Sequence, residues 1–176
     1  MKTYIWSDLH LSHANVIKYQ DRPFSSVEEM NKTILNNWKT TVNKRDTIIN
    51  LGDFCFKSNK SFIESVLKNT PGRKILIMGN HDKSRSLSWW LNVGFDEVYK
   101  YPIVYKNKYI LSHEPVNLPN ESYYINIHGH THSIVFPGNR HNVCVENTNY
   151  MPILLDNIIS NKYEEVFPIL VDKIIK

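Results

Sequence analysis

Histidine, aspartate and asparagine side chains recur in five short segments of this chain, each directly after a predicted strand. The segments are Asp8-Leu9-His10, Gly52-Asp53, Gly79-Asn80-His81-Asp82, His113 and Gly129-His130-Thr131-His132. Carboxylate, amide and imidazole donors without thiolates favour Mn²⁺, Fe, Zn²⁺, Ni²⁺ or Co²⁺ over a structural zinc site, which prefers cysteine-rich coordination. The segments offer too many donors for one tetrahedral ion. They suit two ions of higher coordination number that share a carboxylate.

The spacing within two of the segments predicts how their side chains converge. Asp8 and His10 are two residues apart, and His130 and His132 repeat this spacing. In an extended chain, residues two apart point to the same face. We therefore expect each pair to be able to reach one ion.

The elements that position these groups follow from apolar patterning and from turn residues. Strands are predicted over Lys2–Ser7, Thr47–Leu51, Lys74–Met78, Glu97–Tyr101, Ile103–Tyr105, Tyr109–Ser112, Tyr124–His128, Asn142–Val145 and Ile153–Leu155. Helices are predicted over Asn15–Tyr19, Val27–Val42 and Phe62–Leu67, through Trp89-Trp90-Leu91, and over Asn157–Ser160 with Asp156 as N-cap. Residues 161–176 have a helix-like pattern that Pro168 interrupts. This order predicts an α/β fold with two packed mixed sheets flanked by helices, rather than one doubly wound parallel sheet.

Length and composition are those of one soluble domain. The chain has 176 residues, of which 41% are hydrophobic and 22% charged, with a net charge of +4 that mildly favours anionic partners. No apolar run approaches the ~20 residues of a membrane span, and a charge comes too early for a signal peptide. Cys55 and Cys144 form no CxxC motif, so we expect reduced thiols and a cytoplasmic location.

The five segments, in this order over residues 8–132, resemble the motifs of the calcineurin-like metallophosphoesterases. The flanking residues (Ser7–Asn15 and Val145–Asp156) resemble small bacterial and phage members. The resemblance implies a four-layer αββα fold, with residues 1–176 forming a single domain. It also implies hydrolysis of a phosphoester by a hydroxide that bridges two divalent ions. Mn²⁺ is our first choice, a mixed Fe/Zn site is the second, and Ni²⁺ and Co²⁺ are further alternatives.

The resemblance also implies a division of the ligands between the two ions. One ion would be held by Asp8, His10, Asp53 and His132, and the other by Asp53, Asn80, His113 and His130. Asp53 would then bridge the two ions, which sit about 3.5–4 Å apart in two-metal sites of this kind.

By the same resemblance, His81 is not a ligand but donates a hydrogen bond or a proton toward the leaving oxygen. Asp82 is expected to orient His81. Protein serine/threonine phosphatases carry an Asp-Arg-Gly run where this chain has Phe54-Cys55-Phe56, and a Glu where it has Asp82. Both differences favour the small phosphodiesterase-like members.

Several residues near the segments have two interpretations each. His13 could contact the substrate phosphate or cap the helix that follows it. Arg85 and Arg140 could clamp a substrate phosphate or be solvated surface residues. We expect Cys55 and His128 to be buried structural residues rather than ligands.

Three functions fit these observations. The first is a phosphodiesterase on a nucleotide or other small phosphodiester, and the second is a nuclease on DNA or RNA. The third is a metal-bearing scaffold without turnover. A basic rim of Lys57, Lys60, Lys83, Arg85 and Arg140 supports nucleic acid weakly, since no aromatic residues interleave it. No membrane partner is expected, and the sequence does not indicate an oligomeric state.

Overall fold

A computed structural model of the chain describes residues 1–159. The elements are β1 (Thr3–Trp6), α1 (Ala14–Tyr19), α2 (Val27–Thr41), β2 (Thr47–Asn50), α3 (Lys60–Asn69), β3 (Arg73–Ile77), α4 (Leu87–Asn92), β4 (Glu97–Tyr99), β5 (Ile103–Tyr105), β6 (Tyr109–Ser112), β7 (Ile125–His128), β8 (Arg140–Asn142), β9 (Ile153–Leu154) and α5 (Leu155–Ile159). Short 3-10 turns lie at Asp82–Ser84 and Val145–Asn147.

The strands form two mixed sheets. The first has the order β4-β3-β2-β1-β9, in which only β9 is antiparallel to its neighbour. The second has the order β5-β6-β7-β8, in which only β5 is antiparallel. The prediction of two mixed sheets flanked by helices is therefore confirmed. The carboxyl ends of parallel neighbours meet at one edge of a sheet, which places the loops after β1, β2 and β3 together, and likewise those after β6 and β7.

Two apolar layers hold the sandwich together. Between the sheets, Ile5 and Ile49 of the first sheet pack in one buried cluster with Leu111 and Ile127 of the second. On the other face of the first sheet, Trp6 and the helices form a second cluster. Full burial of an aliphatic side chain contributes about 1.5–3 kcal/mol relative to exposure, so both layers contribute substantially to stability.

The long helix α2 begins as its sequence predicts. The Ser26 hydroxyl accepts a hydrogen bond from the backbone N–H of Glu29 at 3.2 Å, and the Glu29 carboxylate accepts one from the backbone N–H of Ser25 at 2.8 Å. At the other end, the indole of Trp38 donates to the Pro71 carbonyl at 3.0 Å, just before β3. Capping and this tertiary bond together fix the helix against the first sheet.

Two local predictions are wrong. The strand predicted over Asn142–Val145 ends at Asn142, because the Asn142 side chain accepts the backbone N–H of Cys144 at 2.9 Å and the chain turns there. Helix α5 begins at Leu155, so Asp156 lies in its first turn and is not its N-cap. The prediction for residues 161–176 lies outside the described residues.

Candidate metal centre

Four predicted ligands converge after strands β1, β2 and β7 to form what we call the first half-site. It consists of Asp8, His10, His132 and one carboxylate oxygen of Asp53. His10 Nε2 lies 3.7 Å from Asp8 Oδ1 and 3.5 Å from Asp53 Oδ2. His132 Nε2 lies 3.9 Å from the same Asp8 Oδ1.

The second half-site consists of Asn80, His113, His130 and the other oxygen of Asp53. His113 Nε2 lies 2.9 Å from Asn80 Oδ1 and 3.6 Å from Asp53 Oδ1. His130 Nδ1 lies 3.2 Å from Asn80 Oδ1 and 3.2 Å from His113 Nε2. The structure thus brings all seven predicted ligands together, with Asp53 between the two groups.

The donor set fits divalent cations. Nitrogen–oxygen distances of 3.5–3.9 Å in the first half-site are too long for hydrogen bonds, yet the atoms face one another. Asp8 Oδ1 and His10 Nε2 are buried and have no hydrogen-bond partner among the described residues. Buried polar atoms are rarely left in this way, and a shared cation accounts for both. Three overlapping groups of Asp and His donors could each hold an ion.

The backbone that presents these ligands is not extended, so our explanation of their two-residue spacing is wrong. Left-handed φ angles occur at Asp8 (60°), His10 (49°), Asp53 (53°), His130 (68°) and His132 (48°). In non-glycine residues such conformations cost of order 1–3 kcal/mol each and persist only where the surroundings enforce them. His130 and His132 consequently face different half-sites instead of one ion.

Backbone hydrogen bonds between the loops enforce these conformations. Beyond the end of β1, the N–H of Asp8 donates to the Gly52 carbonyl at 3.0 Å, and that of His10 to the Asp53 carbonyl at 2.9 Å. The N–H of His130 donates to Asp8 Oδ2 at 2.8 Å. The loops after β1, β2 and β7 are therefore held against one another.

Gly79 is required by close packing at the centre. A Cβ atom there would lie 2.2 Å from Asp53 Oδ1 and 2.8 Å from His113 Cε1. Neither neighbour can move without displacing a ligand. The segment before Asn80 therefore accepts only glycine.

Asp82 is fully buried and holds two ligand loops in place. Its carboxylate accepts hydrogen bonds from the backbone N–H groups of Asp53 (2.7 Å), Phe54 (3.1 Å) and Gly79 (2.9 Å). Within residues 1–159 the carboxylate bonds to these amides rather than to the predicted partner, the imidazole of His81. Burial raises the pKa of Asp82 to about 6, although the three amides act to lower it.

His81 lies at the half-exposed rim of the first half-site. Its backbone N–H donates to Asp53 Oδ1 at 2.9 Å, and its Nε2 lies 3.8 Å from Asp53 Oδ2. With His10 and Asp53 it forms one of the groups that could hold an ion. Burial lowers its pKa. Its assignment as a proton donor rather than a ligand therefore stays a prediction.

Two residues that the sequence did not single out brace the first half-site. The buried guanidinium of Arg22 donates from Nη2 to the Asp8 carbonyl at 2.7 Å and from Nη1 to the Leu9 carbonyl at 3.0 Å. It also pairs with Glu146 Oε1 at 2.7 Å, and this oxygen lies 2.9 Å from His132 Nδ1.

This contact directs the free Nε2 of His132 toward Asp8. Burial acts to lower the pKa of His132, but the hydrogen bond and charge of Glu146 outweigh it and raise the pKa. Glu146 lies in the segment Val145–Asp156, which resembles small family members, but the resemblance assigned it no role.

The orientation of His113 is set in a similar way by a carbonyl. Its Nδ1 lies 2.8 Å from the Leu51 carbonyl oxygen, which can only accept, so Nδ1 carries the proton. Nε2 is then unprotonated, and its lone pair faces Asn80 and Asp53. Burial lowers the pKa of His113, which favours the neutral form that binds metals.

The two buried ligand carboxylates titrate in opposite directions. Burial acts to raise the pKa of Asp8, but His10, together with the more distant His113 and His132, outweighs it and holds the pKa well below its usual range. Burial and the charges of Asp8 and Asp82 raise the pKa of Asp53 to about 8. A cation between the half-sites would relieve this excess of negative charge and keep Asp53 ionised.

The remaining candidate substrate-binding residues differ in whether the structure brings them to the half-sites. His13 reaches the site, with Nδ1 3.3 Å from His10 Nδ1, and makes no side-chain capping bond to α1. Arg85 lines a groove beside His81. Arg140 is not brought to the half-sites by any contact that the described residues show. It donates to Asn117 Oδ1 at 2.9 Å and to the Pro137 carbonyl at 3.2 Å, which joins two loops.

Cys55 and His128 are both buried, as predicted. Burial raises the pKa of the Cys55 thiol to about 12, so it is a poor thiolate ligand. His128 places its Nδ1 2.9 Å from the Gly129 carbonyl, beside the loop that carries His130.

Comparison with known proteins identifies the family. A family model described as calcineurin-like phosphoesterase matches residues 1–171. The chain belongs to the calcineurin-like phosphoesterase family.

The chain is also similar to individual proteins. The chain is 37% identical to the uncharacterized protein MJ1445 of Methanocaldococcus jannaschii over 172 residues, covering 90% of this chain and 89% of the relative. It is 38% identical over 82 residues to the Gene 66 protein of Mycobacterium phage L5, covering 46% of this chain and 39% of the phage protein. A crystal structure of a protein of unknown function from Aquifex aeolicus, AQ665, superposes with a TM-score of 0.70 at 30% identity, covering 91% of this chain and 98% of that one.

The calcineurin-like phosphoesterase fold and the Asp/His clusters together support a metal-dependent phosphoesterase. Within residues 1–159, no helix has the length and apolar character needed to cross a lipid bilayer.

Proposed function

We propose that this calcineurin-like phosphoesterase is a phosphodiesterase on a nucleotide or other small phosphodiester, with two divalent ions, Mn²⁺ first, as cofactors. The position of Asp53 is the observation that carries the proposal. Its Oδ2 lies 3.5 Å from His10 Nε2 and its Oδ1 lies 3.6 Å from His113 Nε2, so one carboxylate faces both half-sites.

The two half-sites supply what in-line phosphoryl transfer requires. Bound divalent ions would polarise the phosphoryl group and supply the attacking hydroxide. Asn80 contributes an uncharged oxygen donor, so the centre gains a ligand without a third carboxylate that would repel a phosphate anion. His81, half-exposed at the rim, is placed to donate a proton to the leaving oxygen.

The shape of the site supports a diester. Asn80 and His130 are exposed to solvent, and a groove extends from the side of His81. A diester carries two substituents on phosphorus, so it needs an opening on more than one side of the metal centre. An enclosed pocket would instead favour a terminal monoester.

The nuclease alternative has less support from the structure than from the sequence, because two residues of the basic rim have other partners. Lys60 pairs with Glu64 at 3.4 Å, and Arg140 donates to neighbouring loops. Lys57, Lys83 and Arg85 remain exposed beside the site. Three such side chains provide few phosphate contacts, and the activity of a nuclease would fall steeply with salt.

Hydrolysis of bis(p-nitrophenyl) phosphate tests the proposal. We expect Mn²⁺ to support release of p-nitrophenol and EDTA to abolish it. The metal-free protein and the Asp53→Asn variant are the matched controls. Binding of Mn²⁺ without any turnover of mono-, di- or cyclic phosphates would contradict the proposal and favour the scaffold.

A further inference from the structure

A groove of about 420 Å³ opens beside the candidate metal centre. Asn80 and His81, which belong to the candidate metal centre, line it together with Phe56, Arg85 and Trp89. Its size is that of a site for a small organic ligand. The groove is therefore continuous with the place where the phosphoester would react.

The walls of the groove are aromatic and cationic. The Arg85 guanidinium lies 5.0 Å from the centre of the Trp89 ring, and the Lys57 ammonium lies 5.2 Å from that of Phe56. Phe56 and Trp89 are each only partly buried. Partly exposed rings beside cations favour planar π systems attached to an anion, because stacking and charge attraction then act together.

Both walls are held firmly to the metal centre. The Phe56 ring stacks on His13 with a centroid distance of 4.1 Å, and it meets His81 edge-on at 5.2 Å. Trp89 packs edge-on against Trp90 at 5.0 Å. The buried indole of Trp90 donates to the Asp82 carbonyl at 3.1 Å, which ties α4 to the ligand loop. The groove is thus preorganised relative to the reacting atoms.

We propose that this groove is a subsite for a nucleobase-type aromatic ring on the leaving-group side of the substrate. The base stacks beside Trp89, and Phe56 is a second aromatic ring that lines the same groove. The Arg85 guanidinium, which lies over the Trp89 ring, contacts the base or its acceptor atoms. The choice of the leaving-group side follows from His81, which lines the groove and is the proposed donor to the leaving oxygen. This inference rests on the proposed phosphodiesterase function.

Binding of two matched phosphates tests the subsite separately from turnover. Adenosine 5′-monophosphate and ribose 5-phosphate share a sugar and a phosphate and differ in the base. We expect the Mn²⁺-loaded protein to bind the first at least about fivefold more tightly in calorimetry, because base–aromatic stacking contributes this much or more. Trp89→Leu, which keeps an apolar side chain, should bring the two affinities to about the same value.

Two control variants locate the base. Leu91→Ala changes an exposed residue of the same helix that does not line the groove. Tyr101→Ala removes an exposed ring from a second groove, of about 330 Å³, that opens beside His113. Both should keep the preference for the nucleotide. Should Trp89→Leu fail to fold, Arg85→Ala changes an exposed side chain and should still reduce the preference.

Equal affinities in the unchanged protein, or a preference lost in Tyr101→Ala and kept in Trp89→Leu, would overturn the subsite. The two proposals fail in different ways. A base preference without hydrolysis of any phosphoester refutes the phosphodiesterase and, with it, the leaving-group role. Hydrolysis without a base preference refutes the subsite alone.

Discussion

The two half-sites of the candidate metal centre differ in how firmly their side chains are held. In the first, Asp8 and His10 are almost fully buried, and Arg22 and Glu146 fix the loop and the ring of His132. In the second, Asn80 and His130 are exposed. Apart from the shared Asp53, its buried residue is His113, which is held through its second ring nitrogen by a backbone carbonyl.

This difference predicts that the two half-sites bind their ions with different affinities. Ligands whose positions are fixed before an ion arrives lose little conformational entropy on binding, so the first half-site should bind its ion more tightly. The second half-site is open to solvent, so an ion there would exchange more readily. We therefore expect sequential loading, with the braced half-site filled first.

The largest effect is expected for the carboxylate that the half-sites share. Asp53→Asn removes the negative charge that faces both groups, so we expect loss of both ions and of turnover. Metal content after gel filtration, measured by mass spectrometry, gives the number of ions retained. An Asp53→Asn protein that still holds two ions would show that the half-sites do not depend on a shared ligand.

His81→Ala should separate chemistry from metal binding. If His81 is a proton donor, the variant keeps two ions and its kcat falls by about 10²- to 10⁴-fold. The loss should be smaller with p-nitrophenolate than with an alkoxide leaving group, because p-nitrophenolate needs less protonation. Loss of an ion from His81→Ala would instead make it a ligand, in the group it forms with His10 and Asp53.

Glu146→Gln tests the brace of the first half-site. The amide keeps the shape but loses the charge that pairs with Arg22 and orients His132. We expect the affinity for the first ion to fall by about 10- to 100-fold, the usual effect of losing a hydrogen-bond partner of a metal-bound histidine. Calorimetric titration of Mn²⁺ resolves the two steps.

His130→Ala is the matched variant of the second half-site. It should weaken binding of the second Mn²⁺ ion and leave binding of the first unchanged. If Glu146→Gln and His130→Ala weaken the same step, the half-sites are not independent and the comparison fails.

The convergence of the ligands could be predicted from the sequence, but the means of convergence could not. Polar residues after parallel strands meet because the strands end at a common edge, and this needs only the order of the elements. The left-handed conformations of Asp8 and Asp53 result from hydrogen bonds between loops. Local patterning carries no signal for them.

The contacts of Arg22 and Glu146 at the first half-site could not be predicted for the same reason. Arg22 and Glu146 lie 124 positions apart, and neither belongs to the five segments. They meet because Arg22, after α1, and the turn after β8 both contact the loop that follows β1. Asp82 was recognised as part of a motif, but its partners are backbone amides of residues distant in the sequence. The type of a residue says little about which distant backbone groups its side chain contacts.

The smallest expected effect is a dependence of stability on pH that reverses with metal. Folding raises the pKa of Asp53 to about 8, so between pH 7 and pH 8 the folded metal-free protein holds a proton that the unfolded chain has lost. Its stability therefore falls as pH rises, by at most about 1.4 kcal/mol per pH unit. Burial lowers the pKa values of His10 and His113, so near pH 7 a minor fraction of these residues is protonated in the unfolded chain alone, and this offsets a smaller part of the slope.

Thermal unfolding at pH 7 and pH 8, with EDTA or with Mn²⁺, measures this dependence. With EDTA we expect Tm to fall by about 2–4 °C. With Mn²⁺ it should rise or stay level, because binding requires the ionised carboxylate and releases its proton. Asp53→Asn should lose most of the slope in EDTA, keeping only the smaller contributions of the raised pKa of His132 and the lowered pKa values of His10 and His113. A metal-free protein that gains stability from pH 7 to pH 8 would show that Asp53 is already ionised at pH 7. Burial and the charge of Asp8 would then raise the pKa of Asp53 less than expected.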